Sequence, residues 1–157
     1  MQNIKYLVMD VDGTLTDGKI YMGQNGELFK AFSIKDGYGI NDILPKLNII
    51  PIIITGRQSD IVENRCKELH INLVFQGVHN KLAKLKEIIG ADNLSSVAYI
   101  GDDLNDLELM REVKINGGII GCPKDASNEI AEISDFVSSY NGGNGAVREF
   151  INYLKNS

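Results

Sequence analysis

The chain has 157 residues, 43% of them hydrophobic and 24% charged, with a formal net charge of −5. That length and apolar content fit one compact domain spanning 1–157, and the acidic balance argues against broad nucleic-acid binding, which needs a basic surface. The two cysteines, Cys66 and Cys122, are too few for a disulfide framework and fit a reducing cytoplasm; no leader peptide is evident, and the longest apolar stretch, Ile49 to Ile54, contains Pro51 and is far too short to cross a bilayer.

In chain order, Tyr6 to Met9 reads as a short strand, because consecutive apolar residues suit a strand covered on both faces. It stops abruptly at Asp10-Val11-Asp12-Gly13-Thr14. Side chains two apart on a strand project the same way, so Asp10 and Asp12 are expected at its carboxyl end, where open α/β sheets bind ligands. Adjacent carboxylates repel unless a cation lies between them or one holds a proton. The pair therefore suits a divalent metal together with a nucleophile and an acid. Next, Lys19 to Met22 and Glu27 to Phe32 flank Gly23-Gln24-Asn25-Gly26, and Asn-Gly is a strong hairpin signal. The hairpin, about 18–32, carries Ile20, Tyr21, Met22, Leu28, Phe29 and Phe32. Exposed, it is an aggregation risk; it is expected either to meet another subunit or to fold back onto its own sheet.

A helical pattern covers Gly39–Lys46. Strand Ile52–Ile54 runs into Thr55-Gly56-Arg57, and a hydroxyl, a small residue and a cation at a strand exit suit phosphate oxygens. Equally, Thr55 could begin a turn and Ser59 could cap the helix Ser59–Leu69. After strand Leu73–Phe75, Lys81 opens the helix Lys81–Ile89. The macrodipole disfavours a cation there, which hints at an anion nearby, although a solvated surface lysine is the expectation for that residue by itself. Strand Val97–Ile100 runs into Gly101-Asp102-Asp103-Leu104-Asn105-Asp106 ahead of the helix Asp106–Val113. Capping accounts for one or two of these acids; three exceed it, and hard oxygen ligands suit Mg²⁺. Strands Gly118–Ile120 and Asp135–Val137 and helices Ala126–Ile133 and Ala146–Leu154 complete the pattern. Strand alternating with helix implies a Rossmann-like parallel α/β sheet with helices on both faces. His70 and His79 lack a serine or cysteine partner and are expected at the surface or locally bonded. Cys66 is expected to be packed rather than reactive. Gly143-Asn144-Gly145 opens like a dinucleotide fingerprint, but Arg148 takes the third glycine's place and no βαβ unit follows, so no nucleotide site is expected.

The order of these clusters (acidic pair, Thr-Gly, Lys, acidic cluster) resembles the haloacid dehalogenase-like phosphotransferases over essentially the whole chain. Their four motifs match Asp10-Val11-Asp12-Gly13-Thr14, Thr55, Lys81 and Gly101 to Asp106. The resemblance implies that Asp10 attacks phosphorus, while Asp12 protonates the leaving oxygen and later deprotonates water. It further implies that Asp10, the Asp12 backbone carbonyl and Asp102 hold Mg²⁺, and that Thr55 and Lys81 hold the transferring oxygens. Asp106, with Asp103 beside it, would support the metal shell or orient Lys81. The family's ATPases carry threonine where Asp12 stands, so a phosphatase or phosphomutase is implied. The spans from Gly13 to Thr55 and, about 25 residues, from Thr55 to Lys81 leave no room for a cap domain. A capless site needs another means of excluding water, and a neighbouring subunit is the expected one.

Within the family, Asp17-Gly18, Ile20-Tyr21-Met22, Asn25-Gly26-Glu27, Asp36 to Ile40, Ile54 to Arg57, Asn64-Arg65-Cys66 and Gly142 to Glu149 resemble the subgroup that hydrolyses sugar-acid phosphates. That resemblance implies 3-deoxy-D-manno-octulosonate 8-phosphate as substrate, in lipopolysaccharide synthesis, and a homotetramer whose hairpins pair around an axis. Gly56 and Arg57 would then meet the sugar acid, joined by Arg65 from the adjacent subunit, and Arg148 would reach a neighbour's site. Relatives acting on nine-carbon acids carry glutamate at position 57 and lysine at 68; here Arg57 and Glu68 stand there. Two other classes are weighed. A signalling receiver domain needs a phosphoacceptor aspartate at its third strand, which is missing. A non-catalytic module of sugar-nucleotide synthesis is disfavoured by four intact motifs. Neither nucleic acid nor membrane is an expected partner.

Overall fold

A computed structural model describes residues 3–157. Its centre is a six-stranded parallel sheet built from β1 (Tyr6–Met9), β4 (Ile50–Ile54), β5 (Leu73–Phe75), β6 (Val97–Ile100), β7 (Ile119–Cys122) and β8 (Phe136–Val137). The order is β5-β4-β1-β6-β7-β8. The first strand thus lies in the middle, and the connections run outward from it on either side. That reversal of direction is the switch point where such sheets open a crevice at the carboxyl ends of their strands. Register makes the crevice specific. Met9 pairs with Ile53 on one side and with Ile100 on the other. Asp10, Thr55 and Asp102 therefore leave three adjacent strands within about one residue of the same level.

The strands are apolar throughout because both faces are covered. Alternation sends Leu7 and Met9 to one side and Val8 to the other. Leu7 and Met9 join Ile53, Ile100, Val62, Cys66, Phe150 and Ile151 in one core cluster. Val8 joins Ile52, Tyr99, Leu85, Leu109 and Met110 in a second. The first cluster is closed by Ile40 and Leu44, just beyond α1 (Ile34–Tyr38), and by α2 (Asp60–Glu68) and α6 (Ala146–Lys155), and the second by α3 (Lys81–Ile89), α4 (Leu107–Ile115) and α5 (Asn128–Ile133). The pattern at 39–46 proves to be the later part of a longer helical segment. It starts at Ile34, capped by Ser33, then widens to a π-helical turn over Gly39–Ile43 and tightens to a 3₁₀ turn over Leu44–Leu47. Asp36 ties this segment to α6: its buried Oδ1 accepts from Arg148 N at 2.9 Å.

The hairpin comprises β2 (Tyr21–Gly23) and β3 (Gly26–Phe29), paired antiparallel as a sheet of their own. The alternative that it folds back onto the main sheet is overturned. Tyr21 stacks on Phe29 with ring centroids 4.4 Å apart, while Met22 and Leu28 are each 64% exposed. A two-stranded ribbon with bare apolar side chains is marginal alone in water. It is held at its base, where the Tyr21 hydroxyl donates to Asp17 Oδ2.

Candidate active site

The site grows from the loop that ends β1. The amides of Thr14, Leu15 and Thr16 all donate to the Val11 carbonyl, at 3.1, 2.9 and 3.2 Å, which folds the chain back on itself directly after Asp10. Gly13 makes the turn possible. Its φ is +87°, and a Cβ placed there would stand 1.9 Å from Asp102 Oδ2, so only glycine lets this backbone approach that carboxylate. A strap from the C-terminal part of the chain backs the loop. Gly143 N donates to Thr14 O at 3.1 Å, and Gly142 N donates to Asp125 Oδ1 at 2.9 Å. A Cβ on Gly142 would meet Gly13 O at 1.9 Å.

Asp10 is buried at 4% exposure, and its Oδ1 accepts from Lys81 Nζ at 2.9 Å. Lys81 Nζ also donates to Asp106 Oδ1 at 2.8 Å, and its side chain is 3% exposed. The expectation of a solvated lysine is therefore wrong: the two carboxylates hold it against the macrodipole. Burial acts to lower its pKa, but the charges of Asp10 and Asp106 outweigh that and raise it. Asp106 is wholly buried and saturated with protein donors. Besides Lys81, its Oδ1 accepts from the Tyr99 hydroxyl, and its Oδ2 accepts from the amides of Asp102 and Asp103 at 3.0 and 3.3 Å. Asp103 is exposed and caps the turn at Leu104–Asp106, accepting from Leu104 N at 2.8 Å.

Asp102 accepts from Thr14 Oγ1 at 3.3 Å and faces Asp10. Single carboxylate oxygens of Asp10, Asp102 and Asp106 all lie within 4.8 Å of one another. Burial, reinforced by the charge of Asp106, raises the pKa of Asp10; burial, reinforced by the charge of Asp10, raises that of Asp102. Carboxylates this close and this dry ionise together only with a cation present. Hard oxygen donors of this kind fit Mg²⁺. Asp106 is occupied by Lys81, Tyr99 and two amides, which leaves Asp10 and Asp102 as the side chains free to take the ion.

Asp12 turns its carboxylate elsewhere. Its Oδ1 accepts from Lys30 Nζ at 2.7 Å, and its Oδ2 lies 4.0 Å from Arg57 Nε. Lys30 also pairs with Glu27 Oε2 at 3.0 Å, and Arg57 comes within 3.8 Å of the same oxygen. Thr55, Gly56 and Arg57 line, with Asp10, Asp12 and Asp102, a cleft of about 380 Å³, a volume suited to a small molecule. Ser59 also caps α2, accepting from Ile61 N at 3.2 Å. Arg65 and Arg148 do not line the cleft. Arg65 Nη1 pairs with Glu68 at 2.9 Å, and the guanidinium lies over Phe32. Arg148 lies over the Tyr38 ring and donates to Lys35 O at 3.1 Å. His70 Nδ1 sits 2.8 Å from Asn41 Oδ1 and His79 is exposed, both apart from the cleft. Cys66 is buried, and burial pushes its thiol up to about 11.

Sequence reasoning missed Thr14, Lys30 and Tyr99. Tyr99 carried a usable signal, because a lone hydroxyl in an otherwise apolar strand needs a buried partner. Lys30 carried a weaker one, a cation three residues after Glu27 in an apolar hairpin.

No protein-family model matches the chain. It is 43% identical over 155 residues to 3-deoxy-D-manno-octulosonate 8-phosphate phosphatase KdsC of Salmonella typhi, covering 98% of this chain and 80% of that protein. Identity to KdsC of Escherichia coli K12 is 42% over the same spans. Among solved structures, 3-deoxy-D-manno-octulosonate 8-phosphate phosphatase from Moraxella catarrhalis, in complex with magnesium, phosphate and KDO, superposes with a TM-score of 0.89 at 39% identity, covering 99% of this chain and 87% of that one. The cobalt-bound enzyme from Haemophilus influenzae gives 0.86 at 34%, covering 99% and 89%. With near-complete coverage at this identity, the chain belongs to the 3-deoxy-D-manno-octulosonate 8-phosphate phosphatase family of the haloacid dehalogenase superfamily.

Proposed function

We propose that the protein is a Mg²⁺-dependent phosphatase that releases phosphate from 3-deoxy-D-manno-octulosonate 8-phosphate, delivering the free sugar acid for lipopolysaccharide synthesis. The observation that carries this reading is the Asp10 carboxylate, held at the exit of the central strand by buried Lys81 and facing Asp102. An Asp10 oxygen attacks phosphorus as the bond to the sugar oxygen breaks. Asp12 gives its proton to that leaving oxygen, so the sugar departs as an alcohol and Asp10 carries the phosphoryl group. Water then attacks phosphorus, passes a proton back to Asp12 and frees the Asp10 carboxylate with loss of inorganic phosphate. Lys81 and Thr55 hold the non-bridging oxygens, largely by positioning and electrostatics. Asp10, Asp102 and the Asp12 carbonyl are the groups that would hold Mg²⁺, which when bound shields the attacking carboxylate from the anionic phosphate. Asp106 orients Lys81 and, with Asp103, shapes the loop that presents Asp102.

Gly56 and Arg57 sit where the sugar acid enters, and the guanidinium fork suits its carboxylate. Arg65 and Arg148, away from their own cleft, act on a neighbour's in a homotetramer assembled through the bare hairpin. The whole of 1–157 serves as one capless domain. Two free, buried cysteines fit a reducing cytoplasm, and among the described residues no helix is long and apolar enough to cross a membrane. Phosphate release with Mg²⁺ from the eight-carbon acid phosphate and from nine-carbon keto acid 9-phosphates is the decisive comparison. Preference for the eight-carbon ester is expected; preference for a nine-carbon ester overturns the substrate, and no turnover of any phosphomonoester overturns the enzyme.

A further inference from the structure

Lys30 is not a surface lysine. Its side chain is 1% exposed although it lies one residue beyond a solvent-exposed ribbon. Two of its three protons go to carboxylates, Asp12 Oδ1 at 2.7 Å and Glu27 Oε2 at 3.0 Å. With its ammonium enclosed between these partners, Lys30 is outside the lining of the cleft and is placed to hold Asp12 rather than substrate. Glu27 in turn touches Ser59 Oγ at 3.4 Å and lies 3.8 Å from Arg57, so the clamp is anchored to the mouth of α2. Of the Asp12 oxygens, Oδ1 is thereby occupied. Oδ2 is the one left toward the cleft residue Arg57.

We infer that Lys30, locked by Glu27, is a positioning residue for Asp12: it grips Oδ1 and so dedicates Oδ2 to proton transfer with the leaving oxygen. The inference rests on the role given to Asp12 above. Lys30 keeps its own protons throughout; the proton that moves belongs to Asp12. The hairpin then has a function within its own chain. A compact ammonium meets one oxygen of each partner, a job the wider arginine fork does differently.

The test uses two phosphate esters. A sugar phosphate leaves as a poor alkoxide and needs a well-placed acid, whereas p-nitrophenyl phosphate leaves readily and does not. Lys30→Met is expected to lower kcat/KM on octulosonate 8-phosphate, which reports the steps up to departure of the sugar, by roughly 10–100-fold, less than the 10²–10⁴-fold span of acid–base catalysis. On p-nitrophenyl phosphate the loss in kcat/KM is expected to stay under about threefold, whereas kcat on either ester also includes hydrolysis of the shared aspartyl phosphate, where Asp12 takes the proton of water. Lys30→Arg restores part of the loss, and adding Lys30→Met to Asp12→Asn costs nothing further, because a residue acting through another is non-additive with it. Equal losses in kcat/KM on both esters, unchanged kcat/KM on octulosonate 8-phosphate, or additive losses in the double variant would overturn the inference. If Lys30→Met does not fold, Glu27→Gln, which keeps the shape and weakens the lock, carries the same two-ester comparison and the same overturning results. If the wild type does not turn over octulosonate 8-phosphate, the proposed substrate fails by itself, and any sugar phosphate that it does hydrolyse replaces it here.

Discussion

Asp10 and Gly13 show how one loop separates chemistry from folding. Lys81 keeps a second carboxylate, Asp106, whatever happens at position 10. Asp10→Asn should therefore fold normally, melt at or above the wild-type temperature without metal, since a repelling buried charge is gone, and lose roughly four orders of magnitude or more in phosphate release. Turnover close to wild type would remove Asp10 from the role of nucleophile. Gly13→Ala should behave differently. Its positive φ adds strain of about 1–3 kcal/mol, and its methyl group falls on Asp102 Oδ2. Both the melting temperature and the calorimetric affinity for Mg²⁺ should fall. An alanine variant with unaltered metal affinity would mean that the close approach is not needed.

Most strands were legible as short apolar runs because burial on both faces leaves no polar alternation to confuse them. β1, β5 and β6 begin and end where Tyr6–Met9, Leu73–Phe75 and Val97–Ile100 were expected. The 34–47 segment extends the 39–46 pattern toward the N-terminus across Gly37 and Gly39, residues of low helix propensity; packing of Ile40 and Leu44 in the core and the bond from Arg148 N of α6 to Asp36 hold it helical. Motif spacing made Asp10, Thr55, Lys81 and Asp102 visible as candidates, since each sits at a strand exit or a helix start. Lys30 was not visible because its meaning depends on where the hairpin leans, which is a tertiary fact. The hairpin's outer side chains are testable as an element. Met22→Asp with Leu28→Asp removes apolar surface at two positions that are already 64% exposed, so the variant should still fold and unfold cooperatively, with its melting temperature lowered only by the stabilisation that assembly supplies. Sedimentation velocity should show a smaller species. An unchanged sedimentation coefficient would dissociate the hairpin from assembly.

For the molecule as a whole, metal and protons compete. Burial and then Asp106 raise Asp10 to about 6, and burial and then Asp10 raise Asp102 to about 8, whereas unfolded aspartates titrate near 3.9. Between about pH 4 and pH 8 the metal-free fold binds more protons than the unfolded chain, so its stability falls as pH rises through that window. A divalent cation takes the place of those protons. The gain in Tm on adding Mg²⁺ in place of EDTA should accordingly be larger at pH 8 than at pH 6, by a few degrees for a domain of this size. Equal gains at the two pH values would argue that the carboxylates are already ionised without the ion.

The backing of the 13–17 loop by Gly142 and Gly143 has a consequence during synthesis. The nucleophile leaves the ribosome long before the backbone that braces it is translated. A growing polypeptide thus carries its reactive aspartate on an unsupported turn and acquires hydrolytic competence only once that late brace has docked.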